Sequence, residues 1–230
     1  ASDDGTLRIW DLASGEDLLT LEGHEAPVFA VTVTPDAARA ISASADHTLK
    51  VWDLESGECL LTLSGHESAV RFAATTRDGN QAISSSPYDA TIRVWELEAA
   101  TEVLEISAHT GGWSRELHAL AVTPDGASII STSDSATLKA WSLESGDEVL
   151  TLSGHTDWVN DIDVAPDAQR VVSVSNDYAL KVWALTGGQI ASFSGDNWLF
   201  SCAISPDGRT IIAGSASGHV HLLRFQGIER

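Results

Sequence analysis

The sequence predicts an all-β chain in which one four-stranded antiparallel sheet is repeated several times. Three observations carry that expectation. One phrase recurs five times: TLRIWDLASGEDLLTLEGH from 6, TLKVWDLESGECLLTLSGH from 48, TIRVWELEAATEVLEISAH from 91, TLKAWSLESGDEVLTLSGH from 137 and ALKVWALTGGQIASFSGD from 179. Its tryptophans, Trp10, Trp52, Trp95, Trp141 and Trp183, stand 42, 43, 46 and 42 residues apart, so the period counts whole structural units. Within one unit the apolar residues alternate with period two, the mark of strands.

The elements follow in order from that pattern. VFAVTV (28–33), RAISAS (39–44), TLKVWDL (48–54) and CLLTLS (59–64) are short runs rich in β-branched and aromatic residues. Between them stand TPDAA, ADH and ESGE, which supply the Pro, Asp and Gly that tight turns need. Each unit therefore reads as a meander of strands a, b, c and d. Such a sheet has two apolar faces and cannot bury both alone. Packing identical sheets face to face around an axis solves this and leaves only short edges, which predicts a β-propeller. With no Pro- or Ser-rich linker the chain reads as a single domain, with units at about 1–23, 24–65, 66–108, 109–154, 155–195 and 196–230.

Gly-His at the start and Trp-Asp near the end of a unit of about 42 residues resemble the WD-repeat β-propeller family over essentially the whole chain. That resemblance implies a buried hydrogen-bonded tetrad in each blade: a histidine, a strand-b Ser or Thr, the Asp of the b–c turn and the strand-c Trp. The matching positions are His24, Ser42, Asp46 and Trp52; His66, Ser85, Asp89 and Trp95; and His155, Ser173, Asp177 and Trp183. A carboxylate among apolar sheets is costly unless donors reach it, and an imidazole N–H and a hydroxyl can serve. The histidines and aspartates are accordingly read as structural rather than catalytic.

Two repeats depart from the pattern. In the third full one Ser135 stands where the Asp is expected, Asp134 falls one place early, and AlaHis (108–109) replaces GlyHis. In the last, Asp196 takes the histidine position, Ser217 the aspartate position and Leu223 the tryptophan position. Counting strands gives c and d, then four complete units, then a, b and c, twenty-one in all. Family propellers typically have about seven blades. The expectation is therefore four complete blades with partial blades at both ends, N-terminally incomplete and part of a seven-bladed ring. The closing stretch SPDGRTIIAGSASGHVHLLRFQG also resembles the final blade of propellers in bacterial signalling ATPases of the apoptosome-like nucleotide-switch type. That likeness implies a propeller that senses a ligand and controls other domains of the same longer polypeptide.

Composition narrows the function. Asp and Glu outnumber Lys and Arg by 33 to 13, a formal charge of −20, which disfavours nucleic acid and anionic membranes as ligands. No apolar run approaches the roughly 18 residues that a membrane helix requires. Cys59 and Cys202 form no disulfide framework, so a reduced, cytoplasmic setting is expected. Catalytic signatures such as GxxxxGK[ST], HExxH, CxxC and GxSxG do not occur. Asp161, Asp163 and Asp167 lack calcium-loop spacing and read as solvated or hydrogen-bonded carboxylates. No catalytic residue, metal or cofactor is expected.

Function on such a scaffold belongs to loops displayed by rigid sheets. In the family, partners often dock on the narrow face, which carries the d–a and b–c connections. Two rings of residues fall there, Pro27, Ala69, Glu116, Trp158 and Trp198, and two places later Phe29, Arg71, His118, Asn160 and Phe200. The residue before the tetrad Asp adds Ala45, Tyr88, Asp134, Asn176 and Ala216. The loop HTGGWSREL (109–117), about four residues longer than its counterparts, contributes Trp113 and Arg115, and SSSPYDA (84–90), one residue longer, contributes Tyr88. Aromatic residues and Arg gathered at one end have the composition of an interaction hot spot. Phe29, Arg71, Tyr88, Trp113, Arg115, Trp158, Asn160, Trp198 and Phe200 are therefore the candidate residues for binding a protein or peptide. Two alternatives are weighed against this, a structural spacer or oligomerisation module, and an enzyme using the central channel.

Overall fold

The computed structural model describes residues 1–108, 117–133 and 136–225. Among the described residues there are twenty-one strands. β1 (Leu7–Trp10) and β2 (Asp17–Leu21) pair as a two-stranded sheet. Two four-stranded sheets follow, β3 (Val28–Val33), β4 (Arg39–Ser44), β5 (Thr48–Asp53) and β6 (Cys59–Ser64), then β7 (Phe72–Thr75), β8 (Gln81–Ser86), β9 (Thr91–Glu96) and β10 (Thr101–Ser107). The next two are β11 (Leu117–Val122), β12 (Ser128–Ser133), β13 (Thr137–Ser142) and β14 (Glu148–Ser153), then β15 (Val159–Val164), β16 (Arg170–Ser175), β17 (Ala179–Ala184) and β18 (Gln189–Ser194). The last sheet has three strands, β19 (Leu199–Ile204), β20 (Thr210–Ser215) and β21 (Val220–Arg224). Every pairing is between neighbours in sequence and antiparallel, giving four complete sheets of WD-repeat type plus partial ones. Among the described residues no helix is long and apolar enough to cross a membrane.

Residues 1–108 and 109–230 form two compact units. In the first, Ile41, Leu49, Val51 and Leu63 of one sheet and Val70, Ala82 and Trp95 of the next share a core. In the second, Ile130, Leu138 and Leu152 pack with Val159, Ile162, Val171 and Trp183. Alternation explains why each of these sheets is buried on two sides. Strand b is almost wholly enclosed, as the pattern of β4 and β16 shows, while strand d alternates apolar-in and polar-out and faces solvent.

The turns fix the register. In the a–b turn Thr34 Oγ1 donates to Asp36 Oδ1 at 2.6 Å and accepts from Arg39 N at 3.0 Å. In the c–d turn Asp53 Oδ1 accepts from Glu55 N and Ser56 N, and Gly57, at φ 77°, supplies the left-handed conformation that closes it.

Candidate functional site

In the sheets β3–β6, β7–β10 and β15–β18 the b–c turn and the chain leading into strand a meet at one end, and a hydrogen-bonded tetrad fixes that end. In the first complete sheet His24 Nδ1 lies 2.6 Å from Asp46 Oδ2 and His24 Nε2 lies 2.7 Å from Ser42 Oγ. Trp52 Nε1 donates to the same hydroxyl at 2.8 Å. With the indole donating to Ser42, the hydroxyl proton is free to go to His24 Nε2, which makes Nδ1 the protonated nitrogen facing the carboxylate. The sheet at 155–194 repeats this: His155 to Asp177 at 2.8 Å, His155 to Ser173 at 2.7 Å, and Trp183 to Ser173 at 2.8 Å.

In the sheet between Phe72 and Ser107 one expected member is displaced. Ser84, not Ser85, receives the indole N–H of Trp95 at 2.8 Å and meets His66 Nε2 at 2.8 Å, while His66 Nδ1 faces Asp89 at 2.9 Å. The extra residue in SSSPYDA lengthens the turn, so counting back four places from Asp89 stops one residue short. The strand ladder counts from the tryptophan instead: Ala82 opposes Trp95 and Ser84 opposes Arg93, as Ala40 opposes Trp52 and Ser42 opposes Lys50. Ser85 Oγ is buried with no hydrogen-bond partner among the described residues.

Charge in the tetrads is settled by competing effects. Burial holds His24 and His155 below the ordinary imidazole value, which outweighs the pull of Asp46 and Asp177. Burial pushes Asp46 up, but the Thr48 hydroxyl, the His24 ring and the backbone N–H groups of Glu25 and Thr48 outweigh it, leaving the carboxyl below its ordinary value. Asp89 and Asp177 are lowered in the same way, against burial, chiefly by His66 and Thr91 and by His155 and Thr156. Thr48 and Thr91, two places after the aspartate, are members that sequence reasoning missed, although Asp-x-Thr is visible in both copies.

The two irregular repeats keep part of this network. Trp141 Nε1 donates to Ser131 Oγ at 2.7 Å; His109, Asp134 and Ser135 lie outside the described residues. In the last sheet Asp196 accepts from Ser217 Oγ at 2.8 Å and pairs with His219 Nδ1 at 2.5 Å and His221 Nε2 at 3.3 Å. The carboxylate stands at the histidine position, and two imidazoles from two and four places beyond Ser217 face it. The Ser217 hydroxyl and then His219 hold Asp196 far below the ordinary carboxyl value. Both histidines were absent from the sequence reading, whose template has none on strand c.

Backbone bonds place the ring residues at this end of the sheets: Ala45 N donates to Pro27 O, Asn176 N to Trp158 O and Ala216 N to Trp198 O. Within the first unit the Arg71 guanidinium lies 4.9 Å from the Phe29 ring centre and 6.0 Å from that of Tyr88, joining three expected residues in one cluster. Within the second, Trp158 stacks on His118 at 5.4 Å, and Trp198 meets Phe200 edge-on at 6.4 Å. Phe29, Tyr88, Trp158, Trp198 and Phe200 are 40 to 59% exposed. Asn160 behaves differently: its amide donates to Asn176 Oδ1 at 2.7 Å and to Leu199 O at 2.8 Å, so its hydrogens join two sheets. Trp113, Arg115 and Glu116 lie outside the described residues.

The acidic residues of β15 have a structural use. Asp161 Oδ2 accepts from Cys202 N and Ser201 Oγ, and Asp163 Oδ2 from Ile204 N, tying β15 to β19. Asp167 instead pairs with Arg170.

The family model for the WD domain, G-beta repeat, matches residues 15–53, 57–96, 100–142, 146–184 and 187–222. The chain belongs to the WD-repeat family, whose repeats are generally protein-interaction scaffolds and typically non-enzymatic. Against curated proteins the chain finds no significant match.

Proposed function

We propose that this chain is a non-enzymatic recognition scaffold whose aromatic loop face binds a peptide or protein segment, and that in a longer polypeptide this binding regulates a signalling domain. One observation carries the reading. At the same end of the strands in both units, large aromatic side chains are half exposed on backbone that the tetrads and the Asn160 bonds hold in place. Rigid, desolvatable aromatic surface on a fixed frame is what interaction hot spots are made of. The formal charge of −20 favours cationic segments as partners, and Trp and Tyr faces accept a cation readily.

The test is selection of random displayed peptides on the intact chain, followed by binding measurements on the Trp158→Ala/Phe200→Ala double variant. Selected peptides are expected to lose at least about 30-fold in affinity while the variant keeps its thermal midpoint. Peptides that bind both proteins equally would place recognition elsewhere.

A further inference from the structure

The a–b and c–d turns gather at the opposite end of the strands from the aromatic residues. There the first residue of strand b reaches the following sheet. Arg39 Nη2 donates to Gly79 O at 3.2 Å in the first unit, and Arg170 Nη2 donates to Gly208 O at 3.2 Å in the second. Arg170 shows the full arrangement. Its Nε and Nη2 also donate to Asp167 Oδ2 at 3.0 and 2.8 Å, and its guanidinium carbon lies 4.7 Å from the centre of the Phe225 ring.

In the sheet β11–β14 the same position is Ser128, whose side chain stops at Oγ. Between that sheet and the next lies a cavity of about 340 Å³, lined in part by Asp125, Ser128, Ala168, Gln169 and Leu185. Three of these are counterparts of the groups that hold Arg170. Asp125 stands three places before Ser128 as Asp167 stands three before Arg170. Its Oδ1 accepts from Ala127 N at 3.0 Å, as Asp167 Oδ1 accepts from Gln169 N at 2.9 Å, so Asp125 Oδ2 is the equivalent of the oxygen that binds the guanidinium. Ala168 occupies the turn position of Gly208, both with positive φ, 53° and 68°, so its carbonyl is the equivalent of the one that accepts from Arg170. Leu185 stands where Phe225 does, for Leu185 N donates to Gln169 O and Phe225 N to Arg209 O.

We propose that this cavity is a receptor for an arginine side chain supplied by a partner polypeptide. The site is the chain's own arginine seat with the arginine left out. A carboxylate, a turn carbonyl and an apolar wall surround the space, and a planar fork of donors satisfies all three together. Lysine offers a point charge with no flat face and fits less well. The chain's negative charge draws a cationic segment towards the site. This site is separate from the aromatic face and stands or falls independently of it.

The test is an amide NMR titration of the whole chain with N-acetyl-L-arginine methylamide. Saturating shifts are expected at Ser128, Ala168 and Leu185, and the lysine analogue should bind at least about tenfold more weakly. Ser128→Arg fills the seat from within and should abolish those shifts. In a second variant, Arg170→Ser, the probe should produce new shifts around Gly208, which keeps the idea testable if Ser128→Arg does not fold. No shift at these amides up to the solubility limit of the probe, or equal affinity for the lysine analogue, overturns the proposal. Free L-arginine binding more tightly than the blocked probe overturns the assignment to a polypeptide.

Discussion

Trp95 donates its indole N–H to Ser84 across eleven residues, whereas Trp52 and Trp183 reach Ser42 and Ser173 across ten. The register of the ladder, not distance from the aspartate, decides which hydroxyl is used. Ser84→Ala should therefore cost about 1–3 kcal/mol, because it removes the partner of both Trp95 and His66 in a buried site. Ser85→Ala should be neutral or stabilising, since it removes a buried hydroxyl that has no partner to lose. Urea unfolding of the two single variants decides the matter; equal losses would mean the assignment is wrong.

Acid should lower the stability of the chain in two stages. His24 and His155 are lowered from 6.5, so the unfolded chain takes up protons there first, and their contribution, present at neutral pH, is lost as pH falls from about 6.5. Asp46, Asp89 and Asp177 are lowered from 3.8; their contribution is present above that value and lost as pH falls through the lower folded values. Thermal midpoints should be flat between about pH 8 and 7, decline below about 6.5, and fall more steeply below about 4. A midpoint unchanged down to pH 5 would show that the histidines titrate alike in both states.

Asp163 runs against that trend. Burial raises its carboxyl above the ordinary value, and the neighbouring Asp161 adds to this, although Ile204 N and Val164 N oppose them. A raised folded value means that the contribution of this group is fully present below the unfolded value and is lost as pH rises through the folded one. Asp163→Asn keeps an acceptor for Ile204 N and removes the unfavourable charge, so it should be neutral or stabilising at pH 7. Asp163→Ala, which orphans that N–H, should cost about 1–3 kcal/mol. Denaturant midpoints of the pair test this, and a destabilised Asn variant would contradict it.

Ala37 sits at φ 56° in the turn position where Gly79, Gly126 and Gly208 lie at 72°, 70° and 68°. A Cβ there is strained by roughly 1 kcal/mol or more, and glycine relieves it at some entropic cost. Ala37→Gly should leave stability unchanged or raise it by up to about 1 kcal/mol. The reverse change, Gly79→Ala, meets Pro35 Cδ at 3.3 Å as well and should destabilise by at least about 1 kcal/mol. Differential scanning of both variants gives the comparison.

The strands were legible because alternation and turn chemistry are local. VFAVTV, RAISAS and CLLTLS are β3, β4 and β6 to the residue. What was not legible depended on partners distant in the chain. Ser84 needed the ladder to Trp95, because the extra residue of SSSPYDA is visible in the sequence but its place relative to the serine is set by strand pairing. His219 and His221 needed the approach of Asp196, 23 and 25 residues away. The use of Asn160 as a join between sheets, and the seat for Arg170, are set by groups on the neighbouring sheet, Leu199 O and Gly208 O. A single-strand pattern carries no information about those.

The rearranged acid–base pair in the last sheet bears on how much each sheet depends on its own. Asp196 stands where other copies hold histidine, and imidazoles answer it from strand c. What is kept there is the attraction between an acid and a base rather than the address of either. That pair is also open to water: Asp196 and His219 are 39% and 67% exposed, against 11% and 0% for Asp46 and His24. Screened by water, the ion pair of the last sheet adds little to stability, whereas each enclosed pair would leave a buried group orphaned if one partner were lost.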